Sequence, residues 1–72
     1  MANTSYSDEL ARRFTGYANQ AAAKARFFSA EAECWRSMGY HHTADRDSRT
    51  AARYTQAAAR YALDAAKYAS LG

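Results

Sequence analysis

Alanine returns every seventh residue in the second half of the chain, at Ala44, Ala51, Ala58 and Ala65. Tyr54, Tyr61 and Tyr68 follow the last three of these by three positions. The first half keeps the same phase. Ala11, Ala18, Ala25 and Ala32 are each followed three positions on by Phe14, Ala21, Phe28 and Trp35. A sustained seven-residue apolar repeat makes one seam along a helix and coils two such helices left-handedly.

The pattern breaks at Gly39-Tyr40-His41-His42-Thr43. Gly39 suits the left-handed residue that closes a helix, and Thr43 suits an N-cap. Asp45 and Asp47 would then occupy the positively polarised first turn of the next helix. At the other end, Ser5-x-x-Asp8 approximates a capping box, with Asp8 and Glu9 in the first turn. These signals predict one helix over about 7–38, a turn over 39–43 and a second helix over about 44–70. A short connection between two long helices makes them antiparallel neighbours. The expected fold is therefore all-α: a single antiparallel two-helix hairpin, an alanine-rich coiled coil. In that register Phe14 lies near Ala65, Ala18 near Tyr61, Ala25 near Tyr54 and Phe28 near Ala51. Gly16 costs about 1 kcal/mol against alanine in a helix, so it either admits a close neighbour or marks a bend.

Composition supports helices and weakens the core. The 72 residues include no Val, Ile or Pro and only three Leu, Leu10, Leu63 and Leu71. Alanine favours helix, and β-branched residues that favour strands are scarce. Alanine also buries little area, so an alanine-seamed hairpin is marginal on its own. Leu10 and Tyr17 fall beside the seam, and Phe27, Cys34, Leu63 and Leu71 point elsewhere. Apolar residues beyond one stripe call for a second covering surface. Dimerisation into a four-helix bundle would supply it, as would docking on a larger protein.

The net charge of +3 tilts the chain toward acidic partners without singling out nucleic acid. The single Cys34 rules out an intrachain disulfide, and it reads as a small apolar packing residue. No secretory leader or membrane span is legible, so a cytoplasmic location and no membrane partner are expected.

Candidate chemistry is sparse. Arg46, Arg53, Arg60 and Lys67 form a column seven residues apart, with Arg49 adjacent. A basic stripe beside aromatic rings can grip phosphates, and dimeric hairpins can bind RNA so, an analogy of architecture alone. Against this, Asp8–Arg12, Glu9–Arg13, Asp45–Arg49, Glu33–Arg36 and Asp64–Lys67 have the spacing of local ion pairs. His41 and His42 lack the spacing of a zinc site and read as a polar turn at the C-terminus of the first helix. Cys34 with either His has no third group and no concave pocket, so no enzyme, cofactor or metal is expected.

The expectation is a non-enzymatic protein-binding module, a small regulator or inhibitor of a larger protein or complex. Size and character suit the occluding inhibitors that phages direct against host defences, such as anti-CRISPR proteins. The expected contact residues are Arg53, Tyr54, Arg60, Tyr61, Lys67 and Tyr68, then Tyr17 and Phe27. A nucleic-acid-binding hairpin dimer using Arg46, Arg49, Arg53, Arg60 and Lys67 is the alternative, and a scaffolding homodimer the second. The bland alternative for the tyrosines is an intramolecular core with wet hydroxyls.

Overall fold

The computed structural model describes the backbone of residues 5–71, with side chains from residue 6. It is an all-α hairpin of two long helices, α1 over Ser5–Ser37 and α2 over His41–Leu71, packed along their length. The hairpin is a rod, 58 × 12 × 10 Å between Cα extremes. Taking the alanine columns as heptad position a puts the rings at d. Both columns face the partner helix, and Tyr54, Tyr61 and Tyr68 share one side of α2.

Phe14 keeps its expected level, but the rings of the two helices meet one another where the sequence set each large residue against an alanine. The Phe14 ring lies between Tyr61 and Tyr68, with centroids 6.0 and 5.5 Å away, and so sits at the level of Ala65. Phe28 stacks on Tyr54 at 5.8 Å and an interplanar angle of 5°. The buried apolar core is alanine alone: Ala21, Ala25, Ala32, Ala44, Ala51 and Ala65. Among the described residues no large side chain is fully buried. Alanine at a lets the two backbones close together, and the rings at d are too large to fit wholly beneath them.

The turn is tighter than the sequence suggests. Gly39 adopts φ +90°. Its N–H donates to the Arg36 carbonyl at 3.1 Å, and the Tyr40 N–H donates to the Trp35 carbonyl at 2.9 Å. That pair of bonds is the Schellman closure of a helix, and an apolar contact between its two ends usually accompanies it. Here the contact is Trp35 against Tyr40, edge to face at 5.6 Å. The Tyr40 carbonyl also accepts from the Ala44 N–H at 3.0 Å, the first bond of α2. One residue thus finishes α1 and starts α2, which is why α2 begins at His41 instead of near residue 44.

Several local expectations change as a result. Thr43 lies inside α2 and is not its N-cap, and neither Asp45 nor Asp47 is in the first turn. His41 and His42 open α2; they do not cap α1. Asp8 does stand in the first turn of α1, whereas Glu9 lies just past it. The capping role foreseen for Ser5 involves a side chain outside the described residues. Gly16 has no atom within 4 Å of where a Cβ would stand, so no close neighbour explains it. Cys34 is exposed and not a packing residue, because its heptad position, c, points away from the seam.

Candidate functional site: an aromatic and basic edge

An antiparallel hairpin has two long edges where the helices meet, and here they differ in chemistry. On one edge lie Ser29, Ala32, Glu33, Arg36, Ser48, Ala51, Ala52 and Thr55, around an open depression with no ring in it. Arg36 closes this edge near the turn, reaching Asp45 at 3.3 Å and the Ser48 hydroxyl at 3.5 Å. Arg36 was expected to pair with Glu33. It instead crosses to α2, because the tight turn brings Asp45 beside it.

The other edge collects the rings. A depression of about 180 Å³ is lined by Tyr17, Gln20, Ala21, Lys24, Tyr54, Ala57 and Tyr61. A second, of about 520 Å³, continues it across α2 and is lined by Arg53, Gln56, Ala57, Arg60 and Tyr61. Ala57 and Tyr61 belong to both, so the two form one continuous surface. Helical geometry explains the asymmetry. The d rings lean toward positions g and c, while the a alanines flank positions e and b. Tyr17 and Lys24 are at g of α1, Gln20 and Phe27 at c. Arg46, Arg53, Arg60 and Lys67 are all at c of α2.

The rings on this edge touch one another. Tyr17 packs 5.5 Å from both Phe14 and Tyr61. Phe27 meets Phe28 edge to face at 5.2 Å, and so reaches the Phe28–Tyr54 stack. Lys24 Nζ stands 5.5 Å from the centre of the Tyr54 ring, a cation–π contact that gives it a partner where no nearby acid does. Tyr54, Tyr61 and Tyr68 are half-buried, Tyr17 is 44 % exposed and Phe27 59 % exposed. Of the residues expected to make contacts, Arg53, Tyr54, Arg60, Tyr61 and Tyr17 come together around these depressions. Phe27 flanks them on α1. Tyr68 and Lys67 extend the same columns toward the open end, where Tyr68 stacks on Phe14. Arg46 holds the turn-proximal place in the basic column. Arg49 stands apart at heptad position f, on the back of α2.

Among the described residues only two ion pairs form, Glu9 with Arg13 at 3.0 Å and Arg36 with Asp45. The pairs expected for Asp8–Arg12, Asp45–Arg49, Glu33–Arg36 and Asp64–Lys67 do not form. The basic column therefore faces solvent without carboxylate partners.

Sequence reasoning missed Asp47 and Glu31. Asp47 is buried at 7 % exposure, and its Oδ2 has no hydrogen-bond partner. It occupies the d column, one heptad before Tyr54, where a fourth ring would continue the series. Counting back by seven from Tyr54 would have found it. Glu31, half-buried at g of α1, lies beside the Asp47 carboxyl. Burial, and then the adjacent Asp47, push the Glu31 carboxyl above its ordinary range.

Among the described residues no group of three or more His, Cys, Asp or Glu could hold a metal ion. No described helix is long and apolar enough to cross a membrane. The sequence matches no protein-family model, no curated protein and no solved structure.

Proposed function

We propose that this hairpin is a non-enzymatic protein-binding module, a small regulator or inhibitor that docks on a larger protein through its aromatic and basic edge. One observation carries the reading. The buried core is alanine only, and the rings that should complete it lie half-covered along one edge beside unpaired cations. Tyrosine and arginine are the side chains that most often anchor protein interfaces. Tyrosine brings desolvated area with a polar tip, and arginine brings charge-assisted bonds. Exposed Phe27 and Tyr17 add apolar area that only a desolvating partner would cover. Replacing Arg53 and Arg60 together with alanine tests this. Capture of the partner from the native host should fall sharply while helicity is retained; unchanged capture would remove this edge as the site.

The unpaired column of Arg46, Arg53, Arg60 and Lys67 favours a second reading, a hairpin dimer that binds nucleic acid. Phosphate binding weakens steeply as salt rises. Titration with generic duplex DNA and RNA at low salt separates the readings, and no binding there eliminates the second.

A further inference from the structure

The edge has a shape and a charge layout that narrow the partner further, on the docking reading just given. Its floor is made of small residues, Ala21 and Ala57, set between the Tyr17, Tyr54 and Tyr61 rings. Small floors walled by rings are holes of the kind that receive knobs from a facing helix. The depression lies between two long helices, so its natural occupant is a third helix lying alongside them.

The two flanks of the groove differ. On α2 the cations Arg46, Arg53, Arg60 and Lys67 recur every seventh residue, a spacing of about 10 Å along the axis. A partner helix meets each of them when its own acids recur at the same interval. On α1 the flank beside Lys24 is uncharged over Gln20, Phe27 and Cys34, so the partner's opposite flank needs no charge there.

A second copy of the chain fits this surface poorly. The c columns of both helices hold no acid, so two such edges face to face would oppose cations with cations or neutral groups. The two acids beside the groove, Glu31 and Asp64, are half-buried. The exposed Glu33 and Asp45 lie toward the opposite edge.

We propose that the aromatic and basic edge receives an acidic amphipathic helix of a partner protein. This helix lies along the groove as the third member of the coiled coil. Its apolar residues enter the Tyr17–Tyr54–Tyr61 holes, and its Asp or Glu residues line up with Arg53 and Arg60.

A displayed library of helices of about 28 residues, long enough to lie along the hairpin for about 40 Å, tests this. The library is randomised on seam and flanks and selected against the intact hairpin. Enriched sequences should carry Asp or Glu at seven-residue spacing on one flank of an apolar seam. A peptide made from one of them should bind the Arg53→Glu/Arg60→Glu variant about ten-fold or more weakly, with the variant's helicity unchanged. Changing the peptide's acids to Lys should recover binding to that variant. The proposal is overturned if no helix enriches, if enriched helices show no acid bias, or if the double variant binds them as well. Self-association that competes for the same edge, or tight duplex RNA binding where acidic helices fail, also overturns it. The docking reading survives any of these outcomes if Arg53→Ala/Arg60→Ala still abolishes capture of the native partner. Both fall if that capture is unaffected.

Discussion

Single residues set the local strains in this hairpin, and Asp47 is the clearest. A carboxylate in a seam column loses water and gains only what its neighbour returns. Its neighbour is another acid, and the pair is tolerable because Glu31 holds its proton more tightly in the folded state. The sign of the linkage follows. With its folded pKa raised, Glu31 contributes most below the ordinary glutamate range, and that contribution is lost as pH rises through the raised value. Glu31→Gln supplies a permanent donor to Asp47. It should raise the thermal midpoint at pH 7 and flatten its fall between acid and neutral pH; circular dichroism melts across that range are the check. The two internal glycines should respond in opposite directions. Gly16→Ala meets no atom within 4 Å and should stabilise by up to about 1 kcal/mol. Gly39→Ala forces a side chain onto φ +90° and should cost about 1–2 kcal/mol. Denaturant midpoints of the two variants measure both.

Each helix offers alanine at a and rings at d, and this pattern made the elements and their register legible. The repeat and the break at Gly39 located the hairpin, the antiparallel pairing and the level of Phe14, but not the stacking of Phe28 on Tyr54. The turn was less legible, since its length depends on a tertiary contact. Trp35 against Tyr40 holds the Schellman closure, and Tyr40 then serves both helices. Thr43 is a good capping residue by type, but the helix passes through it because a cap is already in place. The Glu33–Arg36 and Asp45–Arg49 pairs were over-read for a similar reason, because Arg36 found Asp45 across the turn. The candidate edge was half legible. Its residues were named individually, but their union on one side needed the c and g positions of both helices considered together. Close approach along the a columns yields a prediction for the element. Ala51 is 5 % exposed, so Ala51→Leu should overpack the seam and destabilise by about 1–3 kcal/mol. The exposed Ala59→Leu should stay within about 0.5 kcal/mol of the parent. Parallel thermal melts would contradict the alanine seam if the two variants behaved alike.

At the scale of the molecule, a rod built on buried alanine has little apolar burial to stabilise it. Its seam rings, with Tyr17 and Phe27, lie along one edge, where a partner can cover them. The opposite edge carries small residues, Glu33 and the Arg36–Asp45 pair, with no ring. Contact with a partner should therefore be one-sided. A photo-crosslinking amino acid at position 57, on the floor of the aromatic and basic edge, can be compared in the native host with the same group at position 52, on the opposite edge. A heavier covalent adduct from position 57, with little or none from position 52, is the predicted result. Adducts from position 52 with none from position 57 would contradict the account.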